Sequence, residues 1–421
     1  MAAAARRFGG RWSLLSGLAA ATPAVRLLVL TQLAFNIGFF MVLPYLSVHL
    51  TQDLGLGAAL VGVVLGIRTF AQQGLFFVGG SLADRWGVKP VVVAGCGCRI
   101  LGFAGLAFAG SVPGIVIATV LTGFAGALFS PAVESALATA AGSDGGQSRT
   151  DVFALFAAYG QIGTFVGPLL GSLLLAADFA AACLVAAGLF TVILVVHLRL
   201  LPARPGAHAA EKWLDGWREV VANRTFLLLA VAMSSQLLAY NQLYLLLPLE
   251  LARAWGSQAP LGWYFALASL FVVIAQLPLT RRVRSAAALP AGLIVTAAAF
   301  AVMALLAPRQ LEGVPALVPP AVFTLLLTLG QMTTLPVARD LIPRLAAERR
   351  LGSYYGLFAS IGGLGVLAGS VLTGALIDLV PTTGWGLAAP WCAVALALLA
   401  SSLVLKLQLR SPDSAPPRGT G

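Results

Sequence analysis

Runs of about 20 apolar residues follow one another along nearly the whole chain, and nothing else in the sequence restricts the fold as much. A run of that length matches the hydrocarbon thickness of a bilayer. Lipid offers no hydrogen bonds to the backbone, so a continuous apolar run inside it must satisfy its own polar groups as a helix. Water is the wrong solvent for this composition. Of the 421 residues, 59% are hydrophobic and 10% charged, which would leave large adhesive patches on a soluble domain.

Spans are expected at residues 26–49, 57–79, 90–109, 114–138, 151–176, 179–200, 225–250, 260–280, 287–307, 316–340, 353–377 and 387–407, twelve in all. Lysine and arginine test that count, because they collect on the cytoplasmic side. With the N-terminus inside, all 26 except Arg68, Arg99, Arg253 and Arg309 fall in the tails or the even-numbered turns. The net charge of +11 is therefore read as an orientation signal and headgroup contact, with no nucleic-acid partner. Residues 1–25 read as an uncleaved cytoplasmic arm and 408–421 as a cytoplasmic tail. Cys96, Cys98, Cys183 and Cys392 fall inside spans, and His49, His197 and His208 are scattered. Neither a disulfide framework nor a metal site is expected. With no nucleotide loop and no nucleophile motif, an enzyme is the weaker class.

Residues 201–224 form the longest polar stretch between spans and divide the chain into 26–200 and 225–407. The stretch reads as a Pro-led linker and a short amphipathic helix, with Trp213 and Trp217 on its membrane side. The halves resemble each other. Pro44, Ala71 and Gln72 match Pro248, Ala275 and Gln276 at an offset of 204, and Phe156, Gly160, Gly163 and Gly167 match Phe358, Gly362, Gly365 and Gly369 at 202. The expected fold is an all-α integral membrane protein of two pseudo-symmetric six-helix bundles.

The stretch "GGSLADRWGVKP" spends scarce charges between spans 2 and 3. Gly80, Leu82, Ala83, Asp84, Arg85, Gly87 and Lys89 closely resemble the loop signature of the major facilitator superfamily, with Val88 at a commonly basic position. That resemblance implies a secondary transporter in which Asp84 meets the start of span 11, near Gly352 and Ser353, to link the halves inside. Independently of it, a carboxylate suits the positive end of a helix. Glu134, at the inner end of span 4, is the natural partner for Arg85 or Lys89, and such a cluster can hold a gate. The alternative is that these charges only anchor a turn.

Span 5 carries "YGQIGTFVGPLLGS", in which Gly163, Gly167, Pro168 and Gly171 are similar to the glycine-proline signature of the superfamily's antiporters, with Ser172 in place of a final glycine. Glycines four apart also permit ordinary close packing. At middle depth lie Arg68 and, one turn on, Gln72. An unpaired charge there costs at least about 2.5 kcal/mol, so Arg68 faces a wet cavity or is a structural pin held by carbonyls. Asn36 and Phe40 in span 1, Tyr240, Asn241 and Tyr244 in span 7, Gln276 in span 8 and Gln331 in span 10 are polar or aromatic at similar depth. In the superfamily, spans 1, 4, 7 and 10 surround the cavity, which makes Asn36, Tyr240, Asn241 and Gln331 lining candidates; with Phe40, Arg68 and Gln72, read from their own depth and chemistry, they are the substrate-binding candidates.

The resemblance further implies export of small amphipathic, drug-like compounds by proton antiport, as in one bacterial subgroup of multidrug exporters similar at "GIRTFAQQGL". Protons, a small-molecule substrate and the bilayer are the expected partners, with no cofactor beyond the proton gradient. A monomer in a bacterial inner membrane is expected. Many such exporters carry an acid deep in span 1, where this chain has Asn36, so Glu134 ranks first as proton carrier. The rival reading is a facilitator or symporter for a polar or anionic metabolite held by Arg68.

Overall fold

A computed structural model of the chain describes residues 14–142, 149–203, 217–282, 285–309, 311, 313–346, 351–381 and 384–409. Twelve membrane helices make up almost all of it: α1 (Pro23–Val42), α2 (Ala58–Gln73), α3 (Val88–Phe108), α4 (Val112–Gly142), α5 (Arg149–Leu174), α6 (Phe179–Leu200), α7 (Arg224–Asn241), α8 (Leu261–Arg282), α9 (Ala288–Leu306), α10 (Val318–Leu345), α11 (Leu351–Leu379) and α12 (Ala389–Gln408). With their continuations, eleven are long and apolar enough to cross a membrane, and α8 holds a shorter apolar helix over Leu261–Gln276. No strand occurs among the described residues. Trp213 and the polar core of the linker lie outside them, and Trp217 opens a short helix, Trp217–Ala222.

The two halves repeat one packing scheme. In the first, α1 lies on α5, α3 on α4 and α6 on α3; in the second, α7 lies on α11, α9 on α10 and α12 on α9. The matched prolines mark matched breaks. α1 tightens into a 3₁₀ turn at Leu43–Tyr45, resumes over Leu46–Val48 and widens at His49–Asp53; Pro44 lacks the N–H and crowds the preceding turn. α7 breaks after Asn241 and resumes as Leu246–Trp255, which contains Pro248.

The charged stretch is mostly helix. α2 pauses at Gly74 and continues as Phe76–Trp86, so the expected loop reduces to Gly87, whose φ of +87° ends one helix and starts α3. A residue with a side chain would be strained there. Gly80 has room for a Cβ, whereas one on Gly79 would sit 1.9 Å from the Ala127 carbonyl oxygen, so Gly79 sets the approach of this segment to α4.

Small residues join the halves. Along α2 and α11, a Cβ on Gly62 would meet the Ser370 carbonyl oxygen at 2.2 Å, one on Gly66 the Leu367 Cα at 2.9 Å, and one on Gly374 the Ala58 carbonyl oxygen at 2.2 Å. Ser360 Oγ donates to the Gly74 carbonyl at 3.0 Å. Such backbone contact is how helices associate where lipid removes the hydrophobic drive.

Candidate translocation site

The halves do not meet everywhere. At the face away from the chain ends, Leu46–Val48 packs on Leu246–Trp255, and Gly262 of α8 lies against the Pro168 carbonyl and the Tyr45 hydroxyl. Tyr45 donates that hydroxyl to the Pro168 carbonyl. Toward the face that holds the chain ends, a cavity of about 380 Å³ runs between α5, α7, α8 and α10. Its wall alternates oily and polar groups: Leu243, Phe265, Val272, Met332 and Leu335 beside Gln161, Thr164, Tyr240, Ser269, Gln276, Thr328 and Gln331, with Arg339 toward the end of α10.

Aromatic rings cluster at the inner end of this space. Phe40 of α1 stands edge-on to Phe39 at 5.1 Å and to Phe265 of α8 at 6.0 Å. Tyr244 lies 5.6 Å from Phe265 and 6.1 Å from Tyr240. The rings therefore bridge both halves just where the cavity stops.

Arg68 is 4% exposed. Its Nη1 donates to Gln72 Oε1 at 3.0 Å and its Nη2 to Thr69 Oγ1 at 2.9 Å. Thr69 in turn donates to Asn241 Oδ1 at 2.9 Å, which carries the chain of hydrogen bonds from α2 to α7. The guanidinium lies 5.4 Å from the Phe39 ring centroid and 6.0 Å from that of Tyr244. Among the described residues, side chains and not carbonyls hold it.

Arg99 of α3 is 0% exposed, and none of its three guanidinium nitrogens has a hydrogen-bond partner among the described residues. It sits instead among four rings, with its Cζ 4.7 Å from the Phe35 centroid, 5.1 Å from Phe39, 5.4 Å from Phe190 and 5.7 Å from Phe103. Ring faces attract a cation by about 0.5–2 kcal/mol each without neutralising it. The sequence placed Arg99 within a span; that α1, α3 and α6 wrap it in phenylalanines is visible only in three dimensions.

The glycine-proline run is the seam of α5 on α1. A Cβ on Gly163 would meet the Leu33 carbonyl oxygen at 2.5 Å, one on Gly167 the Ile37 carbonyl oxygen at 2.8 Å, and one on Gly171 the Met41 carbonyl oxygen at 2.2 Å. Asn36 belongs to this seam, donating Nδ2 to the Gly160 carbonyl at 2.8 Å. Gln161 and Thr164, in the same run, line the cavity. The repeat holds: Gly362, Gly365 and Gly369 of α11 face Leu237, Ser234 and Leu238 of α7.

Of the expected lining residues, Tyr240 and Gln331 are on the cavity wall. Arg68 and Asn241 are buried behind it. Gln161, Thr164, Phe265, Ser269, Thr328 and Arg339 were not singled out by sequence. For Gln161 and Thr164 the signal is a polar side chain inside a glycine run that was singled out for its glycines and proline.

At the cytoplasmic-signature end, Glu134 is exposed on α4, and a cation in electrostatic reach of it is Arg339, exposed on α10 of the other half. Lys89, expected near Glu134, donates Nζ to the Leu198 carbonyl at 2.8 Å and so ties α3 to α6. The side chain of Asp84 and its expected meeting with Gly352 lie outside what the structure describes. Asp378, at the end of α11, accepts the backbone N–H groups of Ala58 and Ala59 at 2.9 and 2.8 Å.

Two six-helix halves around a central cavity, closed at one face, define a multi-pass membrane transporter fold. Residues 28–370 match the Major Facilitator Superfamily, and the chain belongs to that family. It is similar to the uncharacterized MFS-type transporter Rv0849 of Mycobacterium tuberculosis (40% identity, covering 84% of this chain and 85% of the relative). It is also similar to the multidrug resistance protein MdtH of Aeromonas hydrophila (32% identity, 86% and 89% covered). Among solved structures, a variant of the peptide transporter POT matches with a TM-score of 0.75 at 17% identity, covering 94% of this chain and 98% of that one. The nucleoside transporter NupG matches with a TM-score of 0.74 at 14% identity, covering 93% and 100%.

Proposed function

We propose that the protein exports small amphipathic compounds in exchange for protons, by alternating access, across a bacterial inner membrane with both termini in the cytoplasm. The observation that carries this is the cavity itself: an oily wall studded with amides and hydroxyls, open toward the proposed cytoplasmic face. Such a wall suits molecules that are partly apolar and partly polar, because every buried polar group of the ligand can find a partner. The likeness to MdtH proteins supports the same substrate class.

Glu134 is the proposed proton carrier. It is exposed on α4 and within electrostatic range of Arg339, which lines the cavity. Closing that opening would bring the carboxylate and the cation together, and reopening would separate them, so the site's proton affinity changes with conformation. The remaining gate candidates act by position: Gly87 turns the chain and Lys89 anchors α3, with Arg85 beside them.

The test is reconstitution in liposomes with an inside-acid proton gradient, following its collapse as amphipathic compounds are added. Compound-triggered proton movement, lost in Glu134→Gln while the protein still folds, is expected. Equilibration of labelled compound with no proton movement would replace antiport by facilitation.

A further inference from the structure

We infer that the transported amphipath carries a negative charge, and that Arg68, reinforced by Arg99, receives it as a carboxylate or a similar oxyanion. The inference rests on the export reading above and narrows its substrate class.

Charge placement carries the argument. Arg68 and Arg99 are both buried at middle depth, stand 5.4 and 5.1 Å from the same Phe39 ring, and lie within electrostatic reach of each other. All 15 aspartates and glutamates of the sequence lie near span ends or outside the spans. Three at span ends are directed elsewhere. Glu134 faces Arg339, Glu250 holds Arg253 at 2.6 and 2.9 Å, and Asp378 caps Ala58 and Ala59. Among the described residues no carboxylate pairs with Arg68 or Arg99, and the rings around Arg99 attract its charge without cancelling it.

Two cations in a poorly polarisable wall raise the potential of the space beside them. That space adjoins the cavity: the Arg68 guanidinium lies 6.0 Å from the Tyr244 ring, which stands 6.1 Å from Tyr240 and 5.6 Å from Phe265, both on the cavity wall. An anionic group drawn to this end meets the Tyr240 hydroxyl and, behind it, a planar guanidinium fork suited to carboxylate geometry. The apolar part of the molecule would rest on Leu243, Phe265 and Met332. A lipophilic cation of the same shape is repelled by both arginines.

The test uses the full-length protein in liposomes and three labelled compounds that share one polycyclic body and differ only in a carboxylate, its methyl ester or a trimethylammonium group. The carboxylate should be carried with kcat/KM at least about tenfold above the ammonium compound, as a field of this kind requires. Arg68→Gln should bring the three within about twofold of one another, while Arg68→Lys keeps part of the preference. Because a variant can misfold, the wild-type ranking stands as a test by itself, with melting temperatures checking the variants. An ammonium compound carried as well as the carboxylate, or a uniform loss in Arg68→Gln, overturns the inference and leaves export of amphipaths intact. Failure to carry any of the three overturns both.

Discussion

The carboxylate of Asp378 caps α2 from the other half of the molecule, taking the Ala58 and Ala59 amides on its two oxygens at 2.9 and 2.8 Å. The unpaired amides and positive dipole at a helix start make this a favourable place for a negative charge, worth about 0.5–2 kcal/mol. Gly57 keeps the approach open, since a Cβ there would stand 3.0 Å from Asp378 Oδ2. The contact joins the two halves at the face where they meet. We expect Asp378→Ala to shift the population toward opening at this face by about 2- to 30-fold, the range that follows from that energy, and Asp378→Asn to shift it less. Spin-label distances between α1 and α7 at this face would show it; unchanged distances would assign the carboxylate no part in closure.

Gly171 and Gly188 offer a matched pair. A methyl group on Gly171 would collide with the Met41 carbonyl and the Tyr45 ring, whereas nothing lies within 4 Å of one on Gly188. We expect Gly171→Ala to destabilise by about 1–3 kcal/mol, as forced overpacking does. Gly188→Ala should be neutral or stabilise by up to about 1 kcal/mol, because alanine is the better helix former. Thermal melting of the two purified variants checks both signs.

Arg99 separates stability from function. A buried charge with no hydrogen bond opposes folding by several kcal/mol, offset here by ring contacts of about 0.5–2 kcal/mol each. We expect Arg99→Met, which fills similar space without the charge, to melt at the same or a higher temperature while losing preference for anionic compounds. A lower melting temperature with the preference intact would make Arg99 a structural pin.

The Thr69–Asn241 hydrogen bond joins α2 to α7 inside the protein. Thr69→Val and Asn241→Ala should each weaken the folded state by about 1 kcal/mol. Combined, they should cost less than their sum, because both remove one bond. Additive losses in melting experiments would mean that the bond contributes nothing measurable.

Span length, charge sidedness and matched glycines are local properties of the chain, and they specify a bundle of membrane helices in two related halves. The sequence also specifies where close backbone contact had to occur: the run from Gly163 to Gly171 could not have been tolerated so regularly without a partner helix. Which helix that partner is, α1, was decided by packing. So were the neighbours at the charged end, where Lys89 turns to Leu198 and Glu134 comes within electrostatic reach of Arg339 in the other half. A side chain's neighbours across the bundle come from spans far apart in sequence, and no periodicity within one span records them. Asp378 illustrates the limit best. Read along the chain it is an ordinary acid at a span end; only the fold brings the start of α2, 320 residues away, to its two oxygens.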